Sequence, residues 1–467
     1  MAVNLVDNLL VSFRRIIMDY QQALDYLYSH IDYEKIPMPH ALAHYDLRRV
    51  EELLARLGNP HLSARSVHVG GTNGKGSTSA MIASALTTSG YRTGFYSSPH
   101  LNTIRERFRV DGTLITEDEL TSIVNEMKPE VERVNQQADH GQLTTFELLT
   151  ALAFTYFKLK GVDFQVLEVG MGGKFDATNV ILPEVSVITS ISLDHMAVLG
   201  NSLAKIAQEK AGIIKPDGTL VLAPQFDQVA PVIVAACRDQ KAELVMVGKD
   251  ITWRNLGFDG NRQLLRVEGR LDSYELAISL LGQYQLENAA TALASLEVLS
   301  VKGFSLSRDS ITRGLAATSW AGRLQILNRQ PLLVVDGAHN PDAARRLRQS
   351  LKVYFDFKRS VLVMGASSDK DVAGVVSELA PAFDRVIVTR SAHPRAMEPD
   401  RLKAEFRKYG VEARSTESIP EALSLVVKMA GPEDLVCATG SLFVVAEVIK
   451  QTESGAGLIS KREQPRA

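Results

Sequence analysis

The sequence predicts an α/β protein in two parts: a larger part on a parallel central sheet, then a smaller, Rossmann-like α/β part. Three observations predict this. Short apolar, β-rich runs alternate with helical patterns along most of the 467 residues, as in the crossover units that build parallel sheets. Gly-rich or polar turns follow these runs. A second series of the same units begins after TSWAGRLQI, behind a small turn at Gly322. The two parts are therefore placed at residues 18–321 and 322–450.

The elements follow in order. Met18 opens a helical pattern, MDYQQALDYLYSHI, so residues 1–17 read as an extension. Their arginines follow the apolar run, the reverse of a signal peptide. The strands of the first part are SVHVG (66–70), TGFYSS (93–98), FQVLEVG (164–170), VSVITSI (185–191) and TLVLA (219–223). Between Asp250 and Leu280 the texture changes to antiparallel strands joined by turns, an insertion or a sheet edge. The second series has strands LLVVDG (332–337), SVLVMGA (360–366), RVIVTRS (385–391) and DLVCATGS (434–441). Pro341, just after His339 and Asn340, suits the first turn of a helix. Residues 451–467 end in a polar tail and read as a second extension.

Composition narrows the function. Asp and Glu number 54 against 52 Lys and Arg, and no long basic run occurs, so nucleic acid is not an expected partner. No apolar stretch approaches the roughly 18 residues of a membrane span. Cys237 and Cys437 lie in unrelated segments and make neither a disulfide framework nor a metal cluster. A reducing cytoplasm is the expected location.

The chemistry begins at VHVGGTNGKGSTSAM, residues 67–81. A strand runs into a glycine loop and then a helical pattern, the context a phosphate loop requires. Glycines let backbone N–H groups approach phosphate oxygens, and the helix N-terminus favours negative charge. Lys75 supplies a point charge, and Ser77 can reach Mg²⁺. The usual spacing G-x-x-x-x-G-K-[ST] has one residue fewer; here Gly76 follows Gly74 and Lys75. The loop alone indicates only a nucleotide phosphate; with the resemblance given below, the first part is expected to be a P-loop ATPase domain. FQVLEVGMGGKFDATN places Glu168 near the end of an apolar strand, where a carboxylate is costly unless paired or on a metal. A dinucleotide fingerprint would need a glycine at Phe175 and its acid after the loop, which excludes a Rossmann NAD site here. Ser98 and His195 also follow strands, at the sheet end that faces a ligand crevice. Glu168, His195 and Ser98 around one cation suit Mg²⁺ or Mn²⁺ better than zinc. Lys210 reads equally as a surface lysine. Arg323, at the hinge between the parts, can close on a phosphate, and Asp336 at a strand end can hold a ribose.

Taken together, GTNGKGS, YSSPHL, EVGMGGKFDATN, TSISLDH, EKAGIIK, ENAATA, GRLQ, DGAHNP and GSLFVVAEV resemble the Mur ligase superfamily, and within it the folylpolyglutamate synthase/dihydrofolate synthase family. These motifs run from about residue 20 to 450, and the extra glycine is normal in that family. The resemblance implies ATP-dependent amide formation. A substrate carboxylate attacks the γ-phosphate to give an acyl phosphate, which the amine of L-glutamate displaces. It further implies that Gly74, Lys75, Gly76 and Ser77 cradle ATP phosphates and that Asn288, Arg323 and Asp336 contact ATP. Ser98, Glu168 and His195 would hold Mg²⁺. Lys210 would be carbamylated, with its added carboxylate serving the metal. His339 and Ser441 would lie near glutamate or nucleotide. Thr144, Thr145, Phe146 and Glu147, with Phe175, Asp176 and Ala177, resemble the dihydropteroate-binding segments of bifunctional members. Dihydropteroate, reduced folates and L-glutamate are the implied substrates, and a monomer is the implied state. The loop HALAHYDLRR is longer than the common version.

Two rival readings are weaker. A cell-wall Mur ligase carries a separate N-terminal UDP-binding domain, for which some fifty residues between Met18 and the loop leave no room. A P-loop NTPase switch accounts for neither the donors at three strand ends nor the second α/β part.

Overall fold

The computed structural model describes residues 18–36, 46–137 and 139–454. The extension at 1–17, most of the unusual HALAHYDLRR loop and nearly all of the C-terminal tail lie outside these residues.

The larger sheet has eight strands in the order β4-β3-β2-β5-β1-β6-β7-β8. They are β1 Arg65–Gly70, β2 Thr93–Tyr96, β3 Phe108–Val110, β4 Thr113–Leu114, β5 Phe164–Glu168, β6 Val185–Ile188, β7 Thr219–Leu222 and β8 Glu243–Met246. β2, β5, β1, β6, β7 and β8 are parallel. β3 and β4 close one edge in antiparallel fashion. The five strands expected from sequence form the middle of this sheet, and the short β3, β4 and β8 add its margins. β1 and β5 are buried along nearly their whole length, which is why they read as continuous apolar runs. Their register pairs Val69 with both Glu168 and Val187. The carboxyl ends of β1, β5 and β6 therefore lie side by side.

Helix Lys75–Thr88 leaves the β1 turn and packs in a core with helix Gln283–Val301 and the sheet. The segment of changed texture forms a separate antiparallel sheet, β9 Thr252–Phe258, β10 Gln263–Glu268 and β11 Ser273–Ile278. Its inward residues Leu265, Val267, Leu276 and Ile278 join the same core.

The second sheet is ordered β12-β13-β17-β14-β15-β16. Its strands are β12 Gln325–Arg329, β13 Leu332–Val335, β14 Ser360–Met364, β15 Arg385–Val388, β16 Ala413–Ser415 and β17 Leu435–Thr439. All but β12 run parallel. Asn340 caps helix Pro341–Tyr354 by accepting from Ala343 N–H, with Pro341 in the first turn, as the sequence led one to expect. The loops after β13, β14 and β17 face those after β1, β5 and β6. Asn73 and Asn340 exchange side-chain hydrogen bonds of 2.9 and 3.4 Å across this cleft. Among the described residues no helix is long and apolar enough to cross a membrane.

Candidate active site

The cleft holds two adjoining cavities of about 180 and 220 Å³. They share Ser98, Pro99, Gly170, Met171, His195, His339 and Leu442. The smaller is built around the phosphate loop. Gly74 has φ 91°, and a Cβ there would sit 2.4 Å from Asn288 Oδ1. Only glycine fits both the left-handed turn and that approach. Lys75 Nζ donates to Thr72 O at 3.2 Å. Burial lowers its pKa, while Glu168 and Asp194 oppose the shift. The Ser77 hydroxyl accepts from Gln285 Nε2 at 3.2 Å, and Gln285 also accepts from Asn288. The expected Gly74, Lys75, Gly76, Ser77, Asn288, Arg323 and Asp336 all line this cavity.

Glu168 ends β5 and is 5% exposed. Burial raises its pKa against the pull of Lys75 and Arg323. Ser98 N–H approaches its Oε2 at a long 3.4 Å, so the carboxylate keeps lone pairs for a cation. Ser98 and His195 line the same cavity. Among the described residues no three His, Cys, Asp or Glu side chains converge as a closed metal cluster. An open set of one carboxylate, an imidazole and a hydroxyl fits a hard cation that takes its remaining ligands from phosphate and water.

Lys210 is 5% exposed and donates to Gly71 O at 2.7 Å. It is a buried site group, which settles the surface reading against itself. Burial first, and Lys75 second, bring its pKa down to about 7. His195 sits in a left-handed conformation, φ 48°. Its Nε2 lies 3.2 Å from Lys370 Nζ, and partial burial lowers its pKa. Asp194, to which the sequence assigns no role, proves central. It accepts from Lys370 at 2.7 Å and lies 3.2 Å from His339 Nε2. Burial opposes its ionisation, yet His195, Lys370 and His339 together hold it well below the usual carboxylate range. Asp336 is fully engaged. It accepts from Tyr284 Oη, Leu324 N and Ala338 N at 2.8–2.9 Å, so it shapes the loop as well as lining the cavity.

The larger cavity gathers Thr144, Thr145, Phe146, Glu147, Phe175, Asp176, Ala177 and Ser441. Several of these side chains already have structural tasks. Thr144 and Glu147 form a capping box on helix Thr145–Lys160, the T-x-x-E pattern at a helix start. Glu147 also pairs with Arg49 Nε and Nη2 at 3.1 and 3.0 Å. Thr145 Oγ1 donates to Leu27 O and His30 O. Ser441 caps helix Leu442–Glu453. Asp176 accepts from Met171 N–H and from Thr178. Sequence reading missed Arg107, which is buried and forms a bidentate pair with Glu34 at 2.9 and 2.5 Å. It also missed Phe443, which lines the cavity and stacks on His393 at 3.7 Å. These partners lie far apart in the chain, and no local pattern marks them.

Comparison with known proteins agrees with this arrangement. Residues 69–296 match the Mur ligase middle domain and residues 322–442 the Mur ligase glutamate ligase domain. The chain is 33% identical over 450 residues to the dihydrofolate synthase/folylpolyglutamate synthase of Bacillus subtilis, covering 92% of this chain and 99% of that one. It is 36% identical over 439 residues to a Haloferax volcanii protein named a probable bifunctional folylpolyglutamate synthase/dihydropteroate synthase. There it covers 92% of this chain but spans half the length of that relative. The structure of Mycobacterium tuberculosis folylpolyglutamate synthase complexed with ADP superposes with TM-score 0.86 at 34% identity, covering 93% of this chain and 98% of that one. The chain belongs to the folylpolyglutamate synthase/dihydrofolate synthase family of the Mur ligase superfamily.

Proposed function

We propose that this ATP-dependent ligase adds L-glutamate to two acceptors, 7,8-dihydropteroate and reduced folates. The observation that carries the reading is the junction of the two cavities. A phosphate-loop cavity opens into a second cavity lined by Phe146, Phe175 and Asp176, and both His195 and His339 stand where they meet. An acceptor carboxylate lying at that junction faces the γ-phosphate of a nucleotide seated on Gly74 to Ser77. Holding the reactants there is most of the catalysis, because phosphoryl and acyl transfer need positioning and charge neutralisation more than a protein nucleophile.

The acceptor carboxylate oxygen attacks the γ-phosphorus and ADP leaves. The amine of L-glutamate then attacks the acyl carbon, and inorganic phosphate leaves as the amide forms. Lys75 and Arg323 supply positive charge to the phosphates. Ser98, Glu168 and His195 would hold Mg²⁺, which when bound neutralises phosphate charge. Lys370 must leave His195 Nε2 for that nitrogen to serve as a ligand. Asn288 and Asp336 line the nucleotide side, and His339 and Ser441 the incoming glutamate side. Lys210 is suited to carbamylation, since burial leaves much of its amine neutral near pH 7 and only the neutral amine attacks CO₂. The enzyme is read as a cytoplasmic monomer divided at Gly322; its two free cysteines are buried, in keeping with a reducing compartment.

The test is phosphate release by the purified protein with Mg-ATP and L-glutamate, with 7,8-dihydropteroate or tetrahydrofolate as acceptor and products weighed by mass spectrometry. Release with both, each product gaining one glutamyl residue, is expected. Release with tetrahydrofolate alone would refute the dihydropteroate reading of Thr144–Glu147 and Asp176.

A further inference from the structure

His68 is a buried polar residue for which the mechanism above has no use. It sits mid-strand on β1, two residues before the phosphate loop begins, and is 0% exposed. A polar ring in the centre of a sheet is costly without a partner. Its Nε2 lies 2.8 Å from Thr178 Oγ1, and Thr178 is also 0% exposed. The Thr178 hydroxyl in turn donates to Asp176 Oδ1, which also accepts from Thr178 N–H at 3.0 Å. Met171 N–H donates to Asp176 Oδ2 at 3.0 Å.

Donor bookkeeping fixes the direction of this chain. A hydroxyl has one proton, and Thr178 gives it to a carboxylate. Its lone pair then faces His68, so Nε2 carries the ring's proton. His68 Nδ1 is bare and has no partner. Burial drops the His68 pKa to about 3, so the ring stays neutral with one N–H to give. Donation runs one way, from His68 Nε2–H to Thr178 and from Thr178 O–H to Asp176. Asp176 itself faces the larger cavity beside Phe175, Ala177 and Phe146. Every protein partner it has is a donor, so it presents an acceptor to whatever enters. The matching ligand edge is a pair of adjacent N–H donors on a flat ring, as on a 2-amino-4-oxo-pyrimidine.

We propose that His68 and Thr178 are positioning residues for acceptor recognition, holding the Asp176 carboxylate at a fixed angle toward the pterin ring. The proposal rests on the reading that Asp176 contacts that ring. It places the support for the acceptor site on the same strand that feeds the phosphate loop. Neither residue touches substrate.

Three measurements on the full-length enzyme test it: KM and kcat for 7,8-dihydropteroate, KM for ATP, and the melting temperature. Thr178→Val keeps the shape and removes the hydroxyl. It is expected to raise the dihydropteroate KM roughly tenfold, the loss typical of a hydrogen bond to a charged group. The kcat and the ATP KM should stay near wild type. Thr178→Ser should restore the KM. His68→Gln, which keeps an N–H donor, should disturb it less than His68→Met. Asp176→Ala, run alongside, should weaken dihydropteroate use more than chain extension on tetrahydrofolate. A Thr178→Val enzyme with unchanged dihydropteroate KM, beside a selectively impaired Asp176→Ala, would overturn the positioning role and leave the ring contact standing. A rise in the KM for ATP matching that for dihydropteroate, with a lowered melting temperature, would make the pair merely structural and overturn it too. Undiminished use of dihydropteroate by Asp176→Ala would remove the ring contact and the proposal with it.

Discussion

The two cavities meet at shared residues yet differ in make. The phosphate-loop cavity has at its centre one unbroken run, residues 71–77, with side chains from other segments around it. The acceptor cavity is made of side chains from many segments, locked by charge pairs between distant residues. Arg49 and Glu147 are 98 positions apart, and Arg107 and Glu34 are 73 apart. A site for a constant group such as a triphosphate can be built from backbone N–H groups that no substitution but proline removes. A site that selects one ring over another needs placed side chains, and these need holding. Three substitutions sharpen or break this contrast.

The largest effect is expected at Lys210. Lys210→Ala should lose roughly 10³-fold in kcat, the scale of removing one preorganised charge from a transfer site. A short carboxylate such as acetate should restore part of it, and full activity without rescue would sink the carbamate assignment. The pH dependence has a definite sign. The folded pKa is depressed from 10.5 to about 7, so the amine is neutral above that value and protonated below it. Stimulation of CO₂-stripped enzyme by bicarbonate should therefore grow as pH rises through about 7. A flat response across that range would refute it.

On the acceptor side the expected effect is on stability. Arg49→Ala leaves the Glu147 carboxylate buried and unpaired, which costs about 3 kcal/mol. Equilibrium denaturation measures this. Burial already raises the Glu147 pKa, and Arg49 opposes the rise, so its loss raises it further. A carboxyl with a raised folded pKa binds its proton more tightly when folded. The deficit of Arg49→Ala should thus shrink as pH falls through that raised pKa. Adding Glu147→Gln should recover much of it at neutral pH. A deficit that ignores both acid and Glu147→Gln would show that the pair holds nothing in place.

The same contrast explains what could be read from the chain. The central strands and the phosphate loop were legible because each is a contiguous pattern with its own physics. The margins β3, β4, β8 and β16, of two to four residues each, are too short to show a period. Glu168, His195 and Lys210 were found because charged residues at apolar strand ends or in family motifs stand out. Asp194 was not ranked, since its importance comes from Lys370 and His339 across the cleft. Arg107 and Glu34 were invisible, because an ion pair between distant segments leaves no local signature. Thr144–Glu147 carried two messages at once, a capping box and a cavity wall, and the sequence does not separate them.

The smallest expected effect concerns the extra glycine itself. Gly74 needs its φ of 91°, but Gly76 does not have a left-handed backbone. Its constraint is space. A Cβ at Gly76 would lie 2.9 Å from Trp320 Nε1 and 3.3 Å from Glu168 Oε2. Trp320 has little freedom to yield, since Phe95 packs on its ring at 5.2 Å and Arg109 lies over it at 5.6 Å. Gly76→Ala should therefore cost about 1 kcal/mol through overpacking, with a raised KM for ATP as the loop shifts. Trp320→Phe removes the clashing nitrogen while keeping an aromatic ring. In a double-mutant cycle the pair should lose less than the sum of the singles. Strict additivity would mean that Gly76 is set by the approach of phosphate rather than by Trp320. The backbone would then be what the loop protects on both sides of Lys75, and the KM for ATP would carry the whole of the Gly76→Ala effect.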